Sequence, residues 1–306
     1  TGVIQNVESL TEGMLIWRGL LQWIGGIGII VMAVSILPVL RVGGMQVFRA
    51  ENSDTTDKIL PRTTQIASAV IIIYFTLTIV CLVAYWLGGM NFFDALVHSM
   101  TTIATGGFST QNNSFASFNS KSLEYIAIIF MVLSSLPILI YLEAFKDGFK
   151  RIISDTQILT FLGIIFFSSL LVILYLWFTD IKGIEESIRS GAFNVISIIT
   201  GTGYTSDNYN LWGPFPIYLL FFGMFIGGCA GSTTCGIKVF RFQILFQTLK
   251  MQIQKLLHPH GVFVPQYNHK KIEEDVTSSV MSFFFIFILS FIAVSYTHLR
   301  AHETEA

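Results

Sequence analysis

In the stretch "TTIATGGFST", Thr101–Thr110, an apolar run ends in two adjacent glycines among small hydroxyl residues. About a hundred residues further on, the chain does much the same in "SIITGTGYTS", Ser197–Ser206. Each stretch closes a segment too short to cross a bilayer, which takes about 20 residues. These segments are Asn91–Ile103, "NFFDALVHSMTTI", and Ile184–Thr200, "IEESIRSGAFNVISIIT". They align without a gap, Ala95 over Ala192, Thr105 over Thr202 and Gly106 over Gly203. Each reads as a half-helix that enters a membrane and stops. Asp94, Glu185 and Glu186 fall in the first turns, where the helix dipole favours negative charge.

The rest of the chain supplies the membrane. Hydrophobic residues make up 53% and charged residues 12%, about half the charge of a soluble domain. Long apolar runs fall at Leu15–Leu40, Ile66–Leu87, Leu123–Ala144, Ile158–Phe178 and Ile217–Leu249, the last broken by "GGCAGSTTCG"; a sixth begins near Val276. Chance core helices explain one or two such runs, not six. A net charge of −1 points to no nucleic-acid partner. Cys81, Cys229 and Cys235 stand in apolar surroundings, with neither a disulfide framework nor a zinc spacing, and are expected to act as small apolar residues.

Lysine and arginine give the orientation. One set of connections carries Arg41, Arg49, Lys58 and Arg62, then Lys146, Lys150 and Arg151, then Lys238, Arg241, Lys250, Lys255, Lys270 and Lys271. The alternate set holds only Lys121, and Lys182 with Arg189. The first set is expected in the cytoplasm and the Thr-Gly stretches outside. The repeating unit is span, half-helix, Thr-Gly stretch, span, once over Thr64–Lys146 and again over Asp155–Lys250, an internal repeat.

Irregular backbone at membrane depth is tolerated only inside protein or along a water-filled cavity. A half-helix entering from outside points its negative dipole end at the membrane middle. Glycine opens backbone angles that turn carbonyls inward, and rings of carbonyls replace the hydration shell of potassium. Two aligned copies therefore favour a cation filter over two re-entrant packing loops. A filter ring takes four such loops, and two are complete here, so the sequence is expected to be a fragment of a four-repeat protein.

At this point the residues resemble a family. "LLQWIGGIGIIVMAVSILPVLRVGGMQVFRAE", Leu20–Glu51, resembles the span and loop after the first filter of bacterial Trk-type potassium uptake proteins, in the Trk/Ktr/HKT superfamily. "MTTIATGGFST" is similar to their second filter, "IITGTGYT" to their third, and "FIGGCAGSTTCGIKVFR", Phe225–Arg241, to their broken third-repeat helix. "LLHPHGVFVP", Leu256–Pro265, resembles the linker that follows.

The resemblance implies an all-α polytopic membrane protein with repeats around a central pore, taking up potassium across a bacterial inner membrane. It implies a homodimer in the lipid bilayer, bound to a cytosolic nucleotide-binding regulatory subunit, with potassium as cargo and no cofactor. Filter positions carry over to Ala104, Thr105, Gly106 and Gly107, and to Gly201, Thr202, Gly203 and Tyr204. A gate loop carries over to Gly227, Gly228, Cys229, Ala230, Gly231, Ser232, Thr233, Thr234, Cys235 and Gly236. The family usually reads "AGSTGGG" there; this chain reads "AGSTTCG", and Thr234 and Cys235 lack the backbone freedom of glycine.

The implied division is residues 1–50 for the end of repeat one, 51–150 for repeat two and 151–258 for repeat three. Residues 259–294 are the linker and first span of repeat four, and 295–306, "SYTHLRAHETEA", a non-native tail. The filter loops leave potassium and sodium selectivity open, so a sodium-permeable or non-selective cation transporter of the same fold is the alternative.

Glycines inside a span break or loosen a helix, and transporters place such breaks at ion sites, so a gate is favoured over close helix packing alone as the account of Gly227, Gly228 and Gly231. His98 is expected to be a packing residue, His258 and His260 to be solvated, and His298 with His302 to be no metal site. Cys229 and Ser232 are weighed as membrane-protease nucleophiles, which need a base within hydrogen-bond reach. No histidine, lysine or paired carboxylate lies inside the spans, so no enzyme is expected. A broken-helix secondary transporter would show inverted repeats; these two run the same way.

Overall fold

A computed structural model describes residues 4, 6–35, 63–148, 150–268, 270–272 and 274–304. The described chain is mostly helical. Its first unit runs from α1 (Glu12–Ser35) through α2 (Thr63–Leu87), α3 (Phe92–Ile103) and α4 (Lys121–Ser134) to α5 (Ile138–Asp147). It continues through a short α6 (Lys150–Ser154), α7 (Thr156–Phe178), α8 (Ile184–Ile199) and α9 (Pro214–Gly223) into the start of α10 (Val239–Leu257). The end of the expected first span, Ile36–Leu40, and the basic residues Arg41, Arg49, Lys58 and Arg62 lie outside the described residues.

Among the described residues, three helices are long and apolar enough to cross a membrane, at Gln65–Leu87, Thr156–Phe178 and Glu274–Thr297. α2 and α7 are apolar almost all round, the composition of a lipid-facing span. Phe166, 61% exposed, and Ile72, 65% exposed, stand on their outer sides. α3 and α8 have the opposite character and bury nearly every residue of their last three turns. α3 packs on α1, α2 and α4, and α8 on α7, α4 and α9. Asn91 starts α3 by accepting the Asp94 N–H at 2.7 Å, an N-cap. Asp155 does the same for α7 from Gln157 N at 2.7 Å.

The expected third span is not one helix. It breaks at Ser135–Pro137, and α4 and α5 meet at 89°. Proline has no N–H to give and clashes with the preceding turn, so "SSLP" ends α4 and α5 starts after Pro137. The sequence expectation placed a break only in the repeat-three span; both complete repeats have one.

The second unit holds most of α10, a two-residue hairpin (β1, Gln266–Tyr267; β2, Lys270–Lys271) and α11 (Glu274–Thr304). Within it the Arg241 guanidinium lies over the Phe283 ring at 3.9 Å. α11 is continuous to Thr304, so the stretch from Ser295 onward, expected to be a foreign tail, is helical there.

Candidate functional site

Both half-helices end in the same way, but in a register one residue away from the gapless alignment. α3 closes at Ala104 and α8 at Thr200, each in the helical region with its N–H returned to the helix. The next residue is left-handed in both: Thr105, φ 48°, and Gly201, φ 71°. Two residues on comes a second positive φ, at Gly107 (71°) and Gly203 (81°). Hydrogen bonds follow the same pairing. Thr105 N donates to Thr102 O and Gly201 N to Ile198 O, both at 3.0 Å. The Thr101 hydroxyl donates to Phe108 O at 2.9 Å and the Ser197 hydroxyl to Tyr204 O at 2.7 Å. Thus Thr105 matches Gly201, and Gly107 matches Gly203. Matching the Thr-Gly letters put Gly106 over Gly203; geometry counted from the helix ends sets Gly106 over Thr202.

The loops meet each other. A Cβ built on Gly107 would lie 1.8 Å from Thr202 O, so only glycine fits. Tyr204 sits behind the loops with its hydroxyl 2.6 Å from that of Thr101 and 3.1 Å from that of Thr102. Tyr85 adds its own hydroxyl to Thr102 at 2.9 Å, so the repeat-three stretch is hydroxyl-bonded to the repeat-two half-helix. Several carbonyls are engaged inside the protein: Ala104 O by the Thr105 hydroxyl, Gly106 O by the Gln22 amide, Phe108 O by Thr101 and Tyr204 O by Ser197. Among the described residues no protein donor reaches the carbonyls of Thr105, Gly107, Gly201, Thr202 or Gly203. His98 is buried with Nδ1 at 2.8 Å from Asp94 O and Nε2 at 3.0 Å from Ser109 Oγ, a satisfied packing residue as expected. His258 and His260 are exposed, and the side chains of His298 and His302 lie outside those described.

Against the inner ends of both half-helices lies the loop between α9 and α10. Its base is tied by a parallel bridge between Ile226 and Ile237. A Cβ on Gly227 would meet Cys235 O at 2.1 Å, so the two limbs touch there. Cys229 N donates to Ser135 O and Ile138 N to Gly231 O, both at 3.0 Å, so the loop fills the polar groups freed by the α4–α5 break. Gln157 of α7 accepts from Ala230 N at 2.6 Å. Thr233 donates to Ile103 O at 3.0 Å and receives the Thr105 hydroxyl at 3.3 Å. Cys235 lies 3.5 Å from the Cβ position of Gly201, and it is exposed. That corrects the expectation of three apolar cysteines: Cys81 and Cys229 are buried, and Cys235 is not.

Thr234 closes the loop. Its hydroxyl accepts from Gly228 N at 2.9 Å and lies 2.7 Å from the Ser232 hydroxyl. The Lys238 ammonium reaches back to it at 2.9 Å, to Thr234 O, and to Ser232 O and Oγ at 3.5 Å. Lys238 thus reaches Ser232, a contact the sequence did not anticipate. At 3.5 Å it stands beyond the reach of a general base, and its shorter contacts are those of a donating ammonium.

The outer ends are riveted by charge. Arg189 of α8 pairs with Glu124 of α4 and with Glu185, and Lys121 pairs with Glu185 at 2.9 Å. Lys182 pairs with Glu186 at 2.5 Å and with Asp207 at 2.6 Å. Burial opposes the Asp207 charge, but Lys182 and the Trp212 indole N–H at 2.9 Å outweigh it and hold the carboxyl below its ordinary 3.8. A depressed folded pKa gives stability that is complete above the unfolded value and lost as pH falls through the folded one. Asp207→Asn should therefore lower the stability at neutral pH by on the order of 1 kcal/mol for a partly exposed pair. In melting curves of detergent-solubilised protein taken against pH, the difference should close below pH 3.8.

Comparison with known proteins places this architecture. The family model described as TrkH, cation transport protein, matches residues 1–300. The Trk system potassium uptake protein TrkI of Halomonas elongata is 41% identical over 94% of this chain and 58% of its own length. TrkH of Escherichia coli K12, also named a Trk system potassium uptake protein, is 36% identical over 94% of this chain and 62% of its own. The crystal structure of the potassium transporter TrkH from Vibrio parahaemolyticus superposes with a TM-score of 0.86 at 35% identity, over 95% of this chain and 60% of that one. The chain thus spans about three fifths of the relatives it matches.

Proposed function

Because the chain belongs to the TrkH family of cation transport proteins, we propose that it is part of a potassium uptake pathway in which the carbonyls of Thr105, Gly107 and Gly201–Gly203 supply two sides of the filter. The observation that carries this is the meeting of two re-entrant helix ends whose adjoining carbonyls have no protein donor among the described residues. A dehydrated cation needs such oxygens, and the C-terminal ends of α3 and α8 add negative potential. Ala104, Gly106 and Tyr204 then hold the loops rather than the ion. The loop Gly227–Gly236 is the gate, pressed on both helix ends through Thr233 and Cys235.

The positive-inside asymmetry supports a filter mouth on the outside. The family resemblance supports a homodimer in a bacterial inner membrane with a cytosolic nucleotide-binding regulatory subunit. The full-length transporter in liposomes, first with equal ion concentrations on both sides and then with potassium or sodium in excess outside, should take up potassium in preference to sodium. Equal potassium and sodium flux would leave a non-selective cation pathway, and no flux of either would overturn the reading.

A further inference from the structure

Gln22 lies on α1, outside every stretch assigned to the filter, yet its amide brackets Gly107. Nε2 donates to Gly106 O at 2.7 Å, and Oε1 accepts from Phe108 N at 3.1 Å. A carboxamide is suited to this because it offers a donor and an acceptor in one plane. The two pinned groups belong to the residues on either side of Gly107, whose φ is 71° and whose own carbonyl has no protein donor among the described residues. Fixing both neighbours fixes the direction of that carbonyl and its separation from Thr202 O.

α1 is itself held in place. Trp23 Nε1 donates to Thr78 Oγ1 at 3.0 Å, and Tyr74 OH donates to Trp23 O at 2.9 Å. One turn before Gln22, the Arg18 guanidinium lies over the Phe108 ring at 4.4 Å. Both loops carry an inner hydroxyl brace, Thr101 on Phe108 O and Ser197 on Tyr204 O, but the repeat-three loop adds one from its own segment, Thr200 beside Thr202 at 2.8 Å, where the repeat-two loop has Gln22. A small loop with two left-handed residues has no ladder to define it, so the Gln22 bracket supplies an external template.

We propose that Gln22 is a specificity-determining positioning residue, whose amide clamps the Gly106–Phe108 backbone in the spacing that suits a dehydrated ion of potassium size. This rests on the filter reading above. The test uses the full-length transporter in liposomes, with potassium and sodium influx measured on the same preparations. Gln22→Met keeps the length and removes both hydrogen bonds; Gln22→Glu keeps the shape and the acceptor and loses the donor. Gly107→Ala is the comparison variant. Both Gln22 variants should lower the potassium-to-sodium flux ratio by about tenfold, the effect of losing a part-buried hydrogen bond or two. Gln22→Glu answers the question if Gln22→Met fails to fold. A wild-type ratio in a folded Gln22 variant, with the ratio lost in Gly107→Ala, overturns the clamp and leaves the filter. A wild-type ratio in all three overturns the filter itself.

Discussion

Serine at Gly107 should remove most of the proposed preference for potassium over sodium in the full-length transporter, and serine at Gly203 should do so to a smaller degree. The two positions match in backbone, with φ near 71° and 81°, a region where a side chain costs about 1–2 kcal/mol. That cost alone shifts a conformational equilibrium by about 5- to 30-fold. At Gly203 nothing lies within 4 Å of an added Cβ, so the conformational cost is the whole effect. At Gly107 an added Cβ would also sit 1.8 Å from Thr202 O, which no rotamer relieves, so the two loops must part. Discrimination should therefore fall in the order wild type, Gly203→Ser, Gly107→Ser, read as potassium and sodium uptake in a strain without other potassium uptake. Wild-type uptake and selectivity in both variants would remove these loops from the filter.

The sequence exposed the half-helices because their length conflicts with their setting. Asn91–Ile103 and Ile184–Thr200 are too short to span and too apolar for a solvated loop, and the structure has α3 and α8 at those places. The acidic first turns are where the dipole argument set them. The register was harder to read. Identical letters favour Thr-Gly on Thr-Gly, whereas the backbone is governed by where each helix stops, and a helix can end in a left-handed threonine as well as a left-handed glycine. Thr105 is such a residue, with a hydroxyl that bonds to Ala104 O at 2.8 Å.

The α4–α5 break was legible in principle from Pro137 within an apolar run, yet proline-bearing spans are tolerated where neighbours satisfy the freed groups. The neighbour here is the loop between α9 and α10, about a hundred residues away in sequence. Gln22 left a fainter trace, a lone amide among apolar residues in "LLQWIGG". Its partners are main-chain atoms, which carry no letter of their own.

Opening the loop between α9 and α10 should give the largest rise in flux. The loop is a tied structure, with its limbs bridged at Ile226 and Ile237 and its tip bonded to Ile103 O and Ser135 O. Thr234 and Lys238 complete it: the ammonium clasps two carbonyls and two hydroxyls of Ser232 and Thr234. Hydrogen bonds to a charged group contribute about 1.5–3 kcal/mol, so Lys238→Met should raise the open population by about ten- to a hundredfold where the closed state dominates. Thr234→Gly removes the cross-tie to Gly228 and restores backbone freedom, and should act in the same direction. Deleting several residues between Ala230 and Cys235 removes the obstruction itself and should exceed either point variant. Because Lys238 stands next to α10, a force on that helix that withdraws the ammonium would open the gate without the deletion. Basal potassium flux of the full-length protein in liposomes, with and without the proposed regulatory subunit, distinguishes the possibilities: the variants should conduct more without that subunit and respond less to it. Unchanged or lower flux in folded variants would mean that the loop's glycines serve helix packing, and that the closure lies elsewhere along the pathway.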